Sequence, residues 1–326
     1  MKKFNKLLSI LSILITTSLI FTSCVTKKST EDLVKYSSKK YRIGFAMSTF
    51  DDNWLGNLMN AAKKEAKNLS DADVIFVNAK NDATKQKSQI MNLIAQKCNV
   101  IIVISVDTDK SAEYTQLAND SNVPIISVNR FLKNQNDAAS YVGSDSITAG
   151  IMQGEYVVKQ LNGKGNVVLL RGEDTQEAAI KRTEGVKQVF KNYPDIKIVA
   201  EDTGKWQRTL GMQITENWIK NDIKFDAVVC NNDEMAIGAI MALKEFKKLD
   251  NVLVAGTDAT PDALKFMKEG SLKVTVFQNA EGQGSTAIDT AYKIAKGEKV
   301  NKNVFIPYEL VVPNDADKYL QKQNAK

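Results

Sequence analysis

From Tyr41 onward, short runs rich in Val and Ile alternate without pause with segments of helical spacing, and this alternation limits the fold more than any other feature of the chain. The apolar runs include 42–46, 74–77, 100–104 and 124–128, and the segments between them include 55–69 and 83–96. The second half repeats the scheme, with strand candidates at 166–170, 196–200, 227–230, 252–255 and 272–277. Its helix candidates are 147–161, 178–191, 209–220, 234–246 and 261–269. Strands that are apolar throughout, each followed by an amphipathic helix, predict parallel sheet covered by helices on both faces. Ten or more strands exceed what one open sheet holds comfortably, so two sheets are expected, with the break near Tyr141–Asp145. A last helix at 287–295 and strand material at 304–312 close the pattern.

The 326 residues suffice for roughly two domains of ~150 residues. The chain contains no histidine, which removes histidine triads, the usual general base near neutral pH and the commonest metal ligand. The formal net charge is +6, and Lys2, Lys3 and Lys6 account for half of it. No dense Lys/Arg cluster lies in the body, so a nucleic-acid surface is not indicated. Those three lysines precede an apolar stretch, Leu7 to Phe21, that is short for a membrane span of about 20 residues. The segment reads as a cleaved targeting signal over 1–23, with an uncleaved membrane anchor as the alternative. Small residues before Cys24 resemble a bacterial lipoprotein signal, which makes Cys24 the candidate lipidation site and membrane anchor. Residues 24–40, rich in Lys, Ser and Thr, read as a flexible tether. Cys98 and Cys230 each adjoin an apolar run and read as buried free thiols, with no spacing for zinc or a disulfide framework.

The strand candidate 227–230 ends abruptly on Asn231, Asn232, Asp233 and Glu234. In open α/β folds, ligands bind outside the carboxyl ends of strands, where this cluster sits. Asn231 with Glu234 three residues on also fits a helix cap, so cap and ligand contact can each belong to one of the two asparagines. Other strand ends carry comparable groups. Asp51, Asp52, Asn53 and Trp54 lie beyond the first, Asn129 and Arg130 beyond 124–128, and Trp206 beyond 196–200. Asp258 follows 252–255, and Gln278 follows 272–277. Planar Asp, Asn, Gln and Arg groups pair with adjacent hydroxyls, and indole faces cover C–H faces of a sugar ring. Trp218, at helical spacing with Ile214 and Ile219, reads as core, and Asp262 as a helix-start charge.

At these residues the chain resembles the sugar-binding proteins of bacterial ABC importers, in the ribose-binding and glucose/galactose-binding branch, from Tyr41 to about Val312. Asn231–Ala239 is the most specific match. Thr257–Asp262, Lys181–Gly185, Tyr141–Asp145 and Phe50–Trp54 support it. The resemblance implies a type I periplasmic-binding-protein-like α/β fold of two doubly wound parallel-sheet lobes, 41–143 plus 279–306 and 144–278 plus 307–326. A three-segment hinge near Ser144–Asp145, Gln278–Asn279 and Val304–Tyr308 would join them. It implies ligand contacts from Asp52, Trp54, Asn129 and Arg130 in the first lobe, from Arg182, Trp206, Asn232 and Asp258 in the second, and from Gln278 at the hinge. Arg130 matches the ribose type, whereas Asp52, Asn129 and Trp206 match the glucose/galactose type. Two departures stand out. Gln176 and Ala178 replace a histidine and an aspartate of the glucose/galactose type, and the calcium loop is missing at Asn162–Asn166, where no carboxylate is present.

The resemblance therefore implies a lipid-anchored, extracytoplasmic solute-binding protein without catalytic residues, metal or cofactor. It would capture a monosaccharide by lobe closure and deliver it to ABC transporter permease subunits. A hexopyranose such as galactose or glucose is the expected ligand, with ribose, another pentose, inositol or a nucleoside as alternatives. A chemoreceptor partner is compatible with the same binding role. A regulator core of the lactose-repressor type is a rival of another class, but a signal and tether occupy the place of its DNA-binding helices. A glycosidase using Asp52 and Asp258 as paired carboxylates is a third, but no nucleophile–base–orienter set accompanies them.

Overall fold

The computed structural model describes residues 40–324. The signal segment, Cys24 and nearly all of the tether lie outside the described residues. The first strand, β1 (Tyr41–Met47), is buried from Ile43 onward. It is flanked in parallel by β2 (Ala72–Asn78) and β3 (Val100–Val103). With β4 (Ile125–Val128), β5 (Ser140–Gly143) and a late strand, β11 (Asn303–Phe305), these form one six-stranded parallel sheet in the order β2-β1-β3-β4-β5-β11. Alternation of side chains sorts the core. Ile43, Phe45 and Met47 face one cluster with Leu58 and with Ala287 and Ile288 from a late helix, while Ala46 faces another with Ile90, Leu93 and Tyr114. The helices concerned are α1 (Asn53–Asn68), α2 (Ala83–Ala95), α3 (Ala112–Asp120) and, from the C-terminal part, α9 (Ala280–Ala295).

The second sheet is built the same way. Its parallel strands run β7-β6-β8-β9, from β6 (Lys164–Arg171), β7 (Asp195–Thr203), β8 (Ala227–Cys230) and β9 (Leu253–Ala255). Val168, Leu170, Val228 and Cys230 face one cluster, and Val167, Leu169, Ala227 and Val229 the opposite one. Parallel bridges Ala255–Val274 and Asp258–Phe277 carry the sheet on to β10 (Thr275–Phe277), which pairs antiparallel with β12 (Glu309–Val311). The covering helices are α4 (Ser146–Gln160), α5 (Glu177–Phe190), α6 (Arg208–Lys220), α7 (Asp233–Glu245), α8 (Pro261–Lys268) and α10 (Ala316–Asn324). Cys98 and Cys230 are buried free thiols, and Trp218 packs in the core with Ile219 beside it.

Three segments cross between the sheets: Ser144–Asp145 from β5 to α4, Gln278–Asn279 from β10 to α9, and Ile306–Tyr308 from β11 to β12. Ile306 N donates to Gly143 O (2.7 Å), and Ser144 Oγ donates to Ile306 O (2.6 Å), tying two crossings together.

Several elements differ from the sequence reading. Ser140–Gly143 forms a strand of the first sheet that the sequence reading did not assign, and the break follows directly after it at Ser144–Asp145. The last long helix starts at Ala280, seven residues earlier than expected. The Asn279 side chain caps it by accepting from Gly282 N (2.9 Å), and the small, polar start of the helix hides it from a periodicity argument. The short helices α3 and α10 carry too few apolar residues to show a period.

Candidate functional site

The first sheet supplies four of the candidate side chains. Asp52 caps α1, its Oδ1 accepting from Leu55 N at 2.7 Å, which fixes the carboxylate at the start of the helix. Two residues on, the buried Trp54 donates its indole N–H to the carbonyl of Gln278 (3.1 Å). Asn129 leaves β4 in the left-handed region (φ 66°), a conformation asparagine tolerates better than most residues. Its N–H is held by Val142 O and its carbonyl accepts from Tyr141 OH (3.2 Å), while Nδ2 donates to Gln283 Oε1 (3.4 Å). Arg130 donates from NH1 to Ser105 O (2.7 Å), and its buried Nε engages no described residue. Burial pushes its pKa down to about 10, with Asp52 opposing that shift.

The second sheet and the crossings supply the other five. Arg182 lies on α5 where that helix meets α4 so closely that a Cβ on Gly150 would come 1.9 Å from Arg182 O. From there its guanidinium donates to Asn231 O (2.6 Å), Gln278 Oε1 (2.6 Å) and Tyr308 OH (3.2 Å), with Asp258 Oδ1 3.8 Å away. Arg182 thus braces two of the three crossings. Asp258 sits at φ 125°, its N–H held by Val276 O (2.7 Å), and burial pushes its carboxyl well above the usual range against the pull of Arg182. Burial likewise raises Asp52. At Arg182, burial works against the charge, but Tyr308 and Asp258 outweigh it and the pKa is raised.

The cap of α7 is Asn232, whose Oδ1 accepts from Met235 N (3.1 Å); its Nδ2 donates to Trp206 O (3.2 Å). Asn231 is not the cap. Its Oδ1 accepts from Gly172 N (3.0 Å) and Thr183 Oγ1 (3.1 Å). Trp206 has φ 66°, next to Lys205 at 49°, so two consecutive non-glycine residues hold a costly backbone there. Its indole N–H donates to Gln176 Oε1 (2.7 Å), and its ring lies so near Gly172 that a Cβ there would meet Cζ2 at 2.1 Å.

All nine candidate residues line one cavity, and Leu55 and Ala178 complete its wall. The cavity they enclose is tight, about 30 Å³, well under the roughly 300–1,000 Å³ typical of open small-molecule sites. Both indole N–H groups are taken by protein acceptors, and the Arg182 guanidinium lies over the Trp206 ring, 5.7 Å from its centroid. Two carboxylates and two guanidinium groups balance in formal charge. A larger polar cleft, bordered by Asn53, Lys110, Lys205 and Glu234, leads outward. Across it, Asn53 Nδ2 of the first lobe donates to Glu234 Oε1 of the second (2.9 Å), so the lobes meet. Among the described residues no cluster of His, Cys, Asp or Glu is arranged to hold a metal ion.

Sequence reasoning missed Gln283 and Tyr308. Gln283 is fully buried behind Asn129 and donates to Ser144 Oγ (3.1 Å), yet nothing in its local sequence sets it apart from a surface glutamine. Tyr308 stands at the end of a crossing already placed near the site, so its position was the available signal.

Two parallel α/β lobes joined by three crossings over a shared polar cavity define a two-lobed solute-binding protein. The chain belongs to the periplasmic binding protein family, whose domain matches residues 43–299, and within it to the branch of the ribose import binding proteins. It is 42% identical, over 86% of this chain and 92% of the relative, to a protein of Rhizobium meliloti named for rhizopine binding. It is 31% identical to the ribose import binding protein of Haemophilus influenzae, over 85% and 92%. A solved structure of an ABC transporter solute-binding protein from Bacillus halodurans with bound myo-inositol superposes with a TM-score of 0.85. The two are 44% identical, over 88% of this chain and 99% of that one. The chain is therefore a solute-binding protein of an extracytoplasmic family and not an enzyme.

Proposed function

We propose that this protein captures a ring polyol of the cyclitol class, of the size of myo-inositol, between its lobes and delivers it to the membrane subunits of an ABC importer, held at the membrane by lipid on Cys24. The observation that carries the reading is the convergence of Asp52, Trp54, Asn129, Arg130, Arg182, Trp206, Asn232, Asp258 and Gln278 on one small, charge-balanced cavity. A cyclitol offers what such a wall pairs with: hydroxyls around the whole ring for the carboxylates, amides and guanidinium groups, and C–H faces for the indoles. The myo-inositol bound in the Bacillus halodurans relative supports this class.

The hexopyranose expectation gives way to the inositol alternative. Glucose/galactose binders place a histidine and an aspartate where this chain has Gln176 and Ala178. Gln176 is consumed by Trp206 and by Val106 O (3.2 Å), and Ala178 presents only a methyl group to the cavity. Titration calorimetry against myo-inositol, ribose, galactose, glucose and adenosine tests the choice. Myo-inositol should bind tightest of the five; galactose or glucose binding without any heat from myo-inositol would sink the reading.

A further inference from the structure

Outside the cavity, the segment after β3, Val106–Thr108, faces the entry to α5, Thr175–Glu177, across the cleft. Three hydrogen bonds join them: Gln176 Nε2 to Val106 O (3.2 Å), Thr108 N to Thr175 O (2.9 Å) and Glu177 N to Thr108 Oγ1 (3.0 Å). The Val106 peptide is fixed from its own side, since Gln86 Oε1 accepts its N–H (2.8 Å) while Gln86 Nε2 donates to Ile104 O (2.8 Å). Gln176 is buried but does not line the inner cavity. Its amide oxygen nevertheless accepts from the Trp206 indole, which does. An amide side chain offers one acceptor and one donor group in a rigid plane, so fixing one end aims the other.

We infer that Gln176 is a positioning residue for lobe closure: its oxygen holds Trp206 against the guest while its nitrogen latches the opposite lobe at Val106, and Thr108 completes the latch. The chain spends backbone strain at Lys205 and Trp206, and the missing side chain at Gly172, to present the indole to this one amide. An indole seated on a guest places its N–H where Gln176 accepts it, and the same amide plane then meets Val106. Capture and closure share one side chain. The inference rests on the proposed capture of a cyclitol only for the guest used in its test.

That test uses the chain with Cys24→Ser, which removes that thiol, and with Met91→Cys and Met241→Cys, two exposed positions on different lobes, carrying spin labels; Cys98 and Cys230 are buried. Dissociation of myo-inositol is followed by stopped-flow tryptophan fluorescence, and the label-to-label distance is measured with and without it. Thr108→Val, which removes one latch bond and touches neither cavity nor indole, should speed dissociation about five-fold with association unchanged, and should broaden the distance distribution. Gln176→Met should speed it further and shift the Trp206 emission. Wild-type rates and distances in both variants would overturn the latch. So would a Gln176→Met effect confined to emission while Thr108→Val behaves as wild type. If the wild type does not bind myo-inositol, the cyclitol reading falls, and the distance distributions of wild type and Thr108→Val decide the latch by themselves: identical distributions overturn it.

Discussion

Gly172→Ala isolates the contribution of indole placement to binding. Gly172 has no backbone need for glycine, since its φ lies outside the left-handed region, so crowding is the sole obstacle to alanine. The new Cβ would stand 2.1 Å from Trp206 Cζ2, 2.2 Å from Cη2 and 2.4 Å from Cε2. Carbon atoms settle at about 3.5–4.0 Å, so the ring must retreat by roughly 1.5 Å. A retreat of that size pulls the indole N–H off Gln176, whose bond is 2.7 Å long, past the usual limit of about 3.2 Å. Overpacking costs about 1–3 kcal/mol and the lost bond about 1 kcal/mol. Shared between folding and binding, this corresponds to an affinity loss of about 10–100-fold at about 1.4 kcal/mol per tenfold. Titration calorimetry with myo-inositol reads the affinity, and thermal unfolding reads the stability. In a Trp206→Ala background the same substitution should be nearly silent in stability, because the clashing ring is gone. An affinity for Gly172→Ala within two-fold of wild type, with unaltered tryptophan emission, would refute this role for Trp206.

Two further outcomes follow from the buried charges. Arg182→Met removes three hydrogen bonds and leaves Asp258 without its counter-charge, so urea unfolding should show a loss of about 3–5 kcal/mol; adding Asp258→Asn should recover part of it, and strict additivity of the two would disprove the coupling. Burial raises Glu177 from 4.5 to about 7, with Ser146 and Arg182 opposing. A carboxyl raised on folding binds more protons when native, so it costs stability as pH climbs from about 4.5 to 7, and the full cost is present above 7. Glu177→Gln should therefore be indistinguishable from wild type near pH 4 and more stable above pH 7, by at most about 3 kcal/mol; a difference that does not change with pH would contradict this.

Much of the architecture was legible because both sheets are buried on two faces. The run at 227–230 stands out as a strand of the same limits since apolar residues stop where the polar cluster starts. The choice between Asn231 and Asn232 as cap was not legible, for both precede a helix at suitable spacing. It is settled by the neighbouring strand: Asn231 N donates the last bond of the ladder, to Leu170 O (2.9 Å), so the helix begins only after Asn232. Strand-end polarity taken together brought eight of the nine cavity residues to notice; Arg182, inside α5, entered only through the family resemblance. The glutamines behind them left no such trace. Gln86 and Gln153 lie on helices, where glutamine usually faces water, yet both are fully buried and donate to carbonyls at strand ends. Only the packed sheet shows which carbonyls need them. Cyclitol and hexopyranose present the same functional groups, so the sequence narrows the guest to a class of polyols, and the inositol-bound relative favours one member of it.

The order in which the lobes are completed bears on how the chain reaches its working form. The first sheet has its outermost strand at Asn303–Phe305, and one face is covered by Ala280–Ala295. The second sheet gains β12 and α10 only after residue 308. A nascent chain that has emerged as far as Gln278 therefore carries two unfinished cores, each with apolar surface still bare. Long-range pairing of this kind slows acquisition of structure. A polypeptide that stays pliable until its final stretch is made is one that can be threaded through a narrow passage before it compacts, which suits a member of an extracytoplasmic family.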